Sequence, residues 1–128
     1  MEFGRKRSYL NTVGLNHLFY IIALHESHVQ VDIFCAQKHG HEMKIRSSGH
    51  DFESFSYPSE SNKVPFFLLD MFKLRYIDVN LESESAWVQA GAIWGEVYYK
   101  IAEISRIHGF PPGICPTVGV GGHFSGGG

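Results

Sequence analysis

The sequence predicts an α+β or α/β layered fold, a small β-sheet flanked by helices, and three observations carry that reading. Short runs rich in β-branched and aromatic residues alternate with two segments of helical period, strands outnumber helices, and turn residues separate the elements without linker tracts. A hydrophobic fraction of 44% with 19% charged residues belongs to a folded chain, and 128 residues make one domain or part of one.

Residues 1–19 lack periodicity and read as a leader outside the domain. Their basic start and the run "LNHLFYIIAL" have the order of a secretory signal, but Asn16 and His17 interrupt the run and no small-residue cleavage site follows. No segment reaches the ~20 apolar residues needed to span a bilayer. "FYIIAL" (19–24) reads as the first buried strand. "SHVQVDIFCAQKHG" (27–40) reads as a helix: Ser27 and Gln30 have capping-box spacing, Val29, Ile33 and Ala36 share a face, and Gly40 closes it. Asp32 and Cys35 fall off that stripe. "MKI" (43–45), "PFFLLD" (65–70), "LRYIDVN" (74–80) and "AWVQAGA" (86–92) supply further strands, with "SYPSESNKVP" (56–65) a polar surface loop. From Trp94 to His108 the period changes to helical, with Ile93, Val97, Ile101 and Ile104 as the stripe and Gly109 as the stop. The remainder reads as loop.

Eleven basic against thirteen acidic residues give a net charge of -2, and "GRKR" at 4–7 is the one basic cluster. That excludes nucleic acid and anionic membrane as partners, since either calls for a concentrated positive face. Cys35 and Cys115 leave the redox compartment open. "HGH" (39–41) with His50 or His123 offers imidazoles but no zinc-like spacing, so no metal site is expected.

Two stretches carry chemistry. "RSSGHD" (46–51) is a strand end whose small residues allow a close turn, with N–H groups free to face an anion. "GICPTVGVGGHFSGGG" (113–128) belongs to a region holding eight of the fourteen glycines. It has no Lys-Ser/Thr pair and follows a helix, so it is neither a phosphate-binding P-loop nor a dinucleotide fingerprint. Its glycines suit a backbone path lying against a flat or extended ligand, and Pro116 holds Cys115 extended.

Together "HESHVQVDIFCAQKHG", "KIRSSGHDFESFSY", "AWVQAGAIWGEVYYKIAE" and "GFPPGICPTVGVGGHFSGGG" resemble the plant berberine bridge enzyme-like oxidoreductases, FAD-linked enzymes of the vanillyl-alcohol oxidase type. The resemblance covers residues 20–128 and implies the N-terminal portion of a PCMH-type FAD-binding domain, with the substrate domain absent from the span. It implies FAD held by two covalent bonds, from His50 to the 8α-methyl and from Cys115 to ring carbon 6. Imidazole and thiolate are both competent nucleophiles toward the electron-poor flavin. Arg46, Ser47, Ser48 and Gly49 would form the loop around the pyrophosphate. Asp51, Thr117, Val118, Gly119, Gly121, Gly122, His123, Ser125 and the glycines Gly126, Gly127 and Gly128 would complete the cofactor side. Val118 matches the position governing oxygen access, and Phe52 a substrate-side position commonly tyrosine. No residue is assigned a catalytic role.

The implied reaction is hydride transfer from an alcohol, sugar or alkaloid to FAD, with O2 as acceptor, in a monomeric and largely secreted family. Ser48 replaces a glycine of the family loop, and Asp32 stands where a small apolar residue is usual. The span also stops short of the family's length, implying a non-catalytic FAD-binding fragment as the alternative. Phe66, Leu68 and Trp87 are expected to lie unpartnered.

Overall fold

The computed structural model describes residues 17–52 and 66–127. The rest of the leader, the polar loop at 56–65 and Gly128 lie outside the described residues. In chain order the elements are β1 (His17–Ile22), α1 (Glu26–His39), β2 (Glu42–Arg46), β3 (Phe66–Asp70), β4 (Ile77–Asn80), β5 (Ser85–Val88), α2 (Trp94–Ile104) and α3 (Val120–Ser125). This is an α+β arrangement. β1, β3 and β2 form a parallel sheet in that order, and β4 and β5 form an antiparallel hairpin.

β3 is central, and all five of its residues are buried. A strand paired on both sides and covered on both faces must read as a continuous apolar run, as "FFLL" does. Phe66 and Leu68, expected to lie uncovered, are buried at 1% and 6% exposure, because β1 and β2 flank them. Burying a side chain such as Phe66 or Leu69 stabilises by roughly 2–3 kcal/mol. Trp87, by contrast, is 82% exposed.

α1 starts earlier than the expected Ser27–Gln30 box. His25 is the N-cap, its Nδ1 accepting from the Ser27 N–H at 3.2 Å. Gly40 ends the helix with φ +65°, the left-handed conformation glycine adopts without a Cβ penalty. The packed side differs from the expected stripe: Val29, Asp32 and Ala36 are half-buried or buried, whereas Ile33 is 39% exposed. Asp32 is thus on the packed face.

α2 stops at Ile104, four residues before the expected His108. Ser105 takes extended backbone, and its hydroxyl accepts from the Ile107 and His108 N–H groups while bonding His108 Nδ1 at 2.7 Å, a local network that competes with helix. Of its stripe, Val97 is buried and Ile104 is 44% exposed. Glu96 satisfies the Ile93 N–H at 2.9 Å and pairs with Arg75.

Two small cores result. Ala23, Leu69 and Leu74 pack with Ile21, Val29, Met43 and Met71 under the parallel sheet. Ala92, Trp94, Val97 and Val120 pack with Val88, Ile101 and Val118 beside the hairpin. The strands β4 and β5 are shorter than the runs 74–80 and 86–92, but their pairing continues through Gln89 N–H to Tyr76 O and Gly91 N–H to Leu74 O, both 2.9 Å. A Cβ on Gly91 would lie 1.8 Å from Met71 O, so only glycine lets the two cores meet there.

Candidate functional site

The "RSSGHD" turn and the "CPTVGVGG" stretch, far apart in sequence, lie against one another. Parallel pairing with β3 delivers Arg46 to the end of the sheet, and the chain then turns through Ser47 to Gly49, whose φ is +89°. From the other side, the 115–121 segment is laced to the start of α2. Gly95 N–H donates to Pro116 O at 2.8 Å, Trp94 N–H to Val118 O at 3.1 Å, and Val120 N–H to Ala92 O at 2.9 Å. Ile93 and Gly119 form a β-bridge.

Ser47 Oγ donates to Ala90 O at 2.6 Å. A Cβ at Gly119 would come within 2.3 Å of Ser47 Oγ and 2.9 Å of Ser48 Cβ, so the serine turn rests directly on glycine backbone. Gly121 is similarly tight against Ala90.

On the outer side of this junction three side chains converge. His50 Nε2 is 2.8 Å from Thr117 Oγ1, and the same oxygen is 3.3 Å from Cys115 Sγ. All three residues are exposed. The Cys115 thiol is held below its ordinary range by the Thr117 hydroxyl, with the backbone N–H groups of Thr117 and Val118 adding to the effect. Such stabilisation of the thiolate is what makes a cysteine nucleophilic near neutral pH.

Other expected site residues are placed differently. The Arg46 guanidinium turns back to the buried Asp70, with Nη1 2.9 Å from Oδ2 and 3.2 Å from the Tyr20 hydroxyl, which itself bonds Asp70. Val118 is half-buried against the Trp94 cluster. His123 packs edge-on to Trp94, ring centres 5.2 Å apart. Ser125 Oγ donates to Gly121 O at 2.7 Å within α3. Asp51 is half-buried and Phe52 is 96% exposed.

Residues 120–125, read from the sequence as loop, form the short helix α3. The N–H groups of Gly121 and Gly126 are spent on Ala90 O and on Gly122 O and His123 O. Gly119 and Gly121 serve close packing of backbone, whereas Gly122 faces open space and Gly127 has φ +82°.

Sequence reasoning passed over Thr117 as the shared partner, Ala90 as the anchor, and the Tyr20–Asp70 pair. A lone acid ending "FFLLD" and a lone base ending "MKIR" were the available signal for the last. Among the described residues, no group of three or more His, Cys, Asp or Glu could hold a metal, and no helix is long and apolar enough to cross a membrane.

The donor set fits flavin: an imidazole and a thiol held below its ordinary range are exposed together beside closely packed glycine backbone. Residues 18–128 match the family model described as an FAD binding domain. Berberine bridge enzyme-like 8 of Arabidopsis thaliana is 59% identical over 92% of this chain and 22% of its own length. Tetrahydroberberine oxidase of Berberis wilsoniae is 54% identical over 86% of this chain and 20% of its own. Among solved structures, a Phl p 4 variant described as a glucose oxidase superposes with TM-score 0.86 at 38% identity, covering 95% of this chain and 25% of that one. The chain spans about a fifth of the length of the curated relatives it matches. With the family model covering nearly the whole described span, the chain belongs to the FAD binding domain family, in its berberine bridge enzyme-like group.

Proposed function

We propose that residues 20–128 are the flavin-tethering N-terminal portion of a PCMH-type FAD-binding domain in an FAD-linked oxidoreductase, with His50 and Cys115 as the two attachment points. The observation that carries this reading is the convergence of His50 and Cys115 on one exposed hydroxyl, beside backbone that admits no side chain at Gly119. Both are nucleophiles of the kind a covalent cofactor requires.

When bound, FAD would supply the hydride acceptor for a small-molecule alcohol, sugar or alkaloid, with O2 as the final electron acceptor. The chain's own residues do the holding. The Ser47–Ser48 turn, locked by Ala90 and Gly119, fixes where His50 stands. Pro116 and the bonds from Gly95 and Trp94 fix the turn bearing Cys115. Arg46 acts from behind, tying the turn to Asp70. A relative described as a tetrahydroberberine oxidase supports oxidase chemistry, as does a Phl p 4 variant described as a glucose oxidase, although wild-type Phl p 4 is described as a glucose dehydrogenase. Val118 supports O2 as acceptor, and Phe52 leaves the substrate side without a phenol hydroxyl.

The shared span of about a fifth favours a second reading for these residues alone, in which they hold flavin without turning substrate over. One experiment addresses both. The chain is expressed with FAD available, purified, denatured, and measured by intact mass and flavin absorbance. A mass gain of one FAD that is lost in the double variant His50→Ala/Cys115→Ala supports tethering. A flavin that survives both substitutions overturns it, and an unmodified chain overturns the second reading, that these residues hold flavin by themselves. Substrate-driven bleaching of the bound flavin then separates turnover from holding.

A further inference from the structure

We infer that the Thr117 hydroxyl is a positioning group that couples the two nucleophiles, so that the tautomer of His50 and the ionisation of Cys115 are set together through one oxygen. The inference rests on the tethering reading above for its purpose, but its geometry belongs to the chain alone.

A hydroxyl has one proton to give and can accept through its lone pairs. Thr117 Oγ1 has two partners, His50 Nε2 at 2.8 Å and Cys115 Sγ at 3.3 Å. Its single proton can point at only one of them. If it points at sulfur, the sulfur is the acceptor, a role a thiolate fills far better than a thiol, and Nε2 must be the N–H donor, which leaves Nδ1 with a free lone pair. If it points at Nε2, that nitrogen is the acceptor, the ring proton is on Nδ1, and sulfur must donate as S–H. The second arrangement carries one proton more than the first. Releasing that proton from Nδ1 to solvent, with the proton between sulfur and Nε2 relayed through Oγ1, converts an inert pair into two nucleophiles at once. Atoms and charge balance: one proton leaves, and the cluster becomes more negative by one charge, located on sulfur.

The surroundings favour the armed arrangement. The Thr117 hydroxyl is the largest influence holding the Cys115 thiol low, the nearby backbone of Thr117 and Val118 adds to it, and no charged side chain contributes. Asp51, adjacent to His50 in sequence, is the neighbouring ionisable group on the turn. The bond from Gly95 to Pro116 O holds the Cys115–Thr117 turn, while the Ser47–Ala90 bond holds the turn that bears His50, so both backbones are anchored beside the cluster.

The test uses the chain itself without flavin. Iodoacetamide alkylation of Cys115 is followed across pH by peptide-resolved mass spectrometry, with exposed Cys35 as internal reference. In parallel, the His50 ring nitrogens are read by 15N NMR. Thr117→Val removes the hydroxyl at constant shape, and is expected to slow Cys115 alkylation at pH 7 by about threefold or more relative to Cys35. It should also abolish the preference for Nε2–H on His50. Thr117→Ser, which keeps the hydroxyl and drops the methyl, is expected to restore both, distinguishing a hydroxyl effect from a packing effect. His50→Ala should slow Cys115 alkylation as well, because the oxygen loses the donor that directs its proton to sulfur.

Unchanged alkylation and tautomer in Thr117→Val would overturn the coupling, as would loss of both in Thr117→Ser. Absence of covalent flavin in the wild-type chain bears only on the tethering reading. The proton relay is decided by the flavin-free measurements.

Discussion

Asp32 sits on the packed side of α1 with Oδ2 buried and lacking a hydrogen-bond partner, and burial lifts its carboxyl above the ordinary aspartate range, with His28 only partly opposing. Asp70 is more deeply buried, at 2% exposure, yet it is fully engaged by Arg46, Tyr20 and the Phe72 N–H. The contrast is between an uncompensated charge and a compensated one. Because the folded value of Asp32 lies above the unfolded one, the native chain holds that proton more tightly. Its penalty is therefore absent below the unfolded value, ~4, and grows as pH rises through the folded value. Asp32→Asn is expected to melt at a higher temperature than the parent at pH 7, with the advantage shrinking toward pH 3. Melts at the two pH values check this, and an equal difference at both would place the effect elsewhere. The acid was visible in the sequence as a departure from an apolar pattern. Its burial was not, because the choice between Asp32 and Ile33 as the inward residue depends on how α1 rotates against β2.

At the scale of elements, what was legible followed from period and what was missed followed from competition. β3 and the body of α1 could be read because their apolar runs answer to one geometry. The end of α2 could not, since Ser105 diverts backbone groups that would otherwise continue the helix. α3 was read as loop because glycine has low helix propensity, and "VGGHFS" becomes helical only where Val120 docks against Ala92 and Trp94. The meeting of His50 with Cys115 was implied by resemblance, but Thr117 as their common partner required the isolated bridge between Ile93 and Gly119 to place the turn. Glycines alike in sequence therefore separate sharply in role. Gly91 faces Met71 O at 1.8 Å from its notional Cβ, while Gly122 on α3 faces nothing within 4 Å. Gly91→Ala is expected to cost about 3 kcal/mol or more, since backbone and not a flexible side chain obstructs it. Gly122→Ala is expected to be neutral or to stabilise by about 0.5–1 kcal/mol through helix propensity. Urea denaturation of both variants checks the pair, and similar losses at the two sites would refute the packing argument.

For the molecule as a whole, the hairpin presents an apolar side with no cover among the described residues. Trp87 is 82% and Tyr76 65% exposed, and both line a groove of about 490 Å3 shared with Val29, Met71 and Leu74. The groove lies between the start of α1 and the hairpin, where the two small cores join, so the surface is continuous with the interior and not a scatter of single side chains. Contiguous exposed apolar area of this kind drives association in water, because covering it releases the ordered hydration it imposes. Trp87 was expected from the sequence to lie unpartnered, but the groove could not be read there, since it needs α1 beside the end of the hairpin, where Gln89 Nε2 donates to Glu26 Oε1 at 3.4 Å. Ile107, at 89% exposure, offers a comparable apolar residue that does not line the groove. We therefore expect the chain to associate with rising concentration in sedimentation velocity, Trp87→Gln to shift it toward the monomer, and Ile107→Gln to leave its distribution unchanged. Equal effects of the two substitutions would mean that total exposed apolar area, and not this groove, governs association. A monomer at all concentrations would mean that the open hairpin face is too small or too well hydrated to hold a second copy.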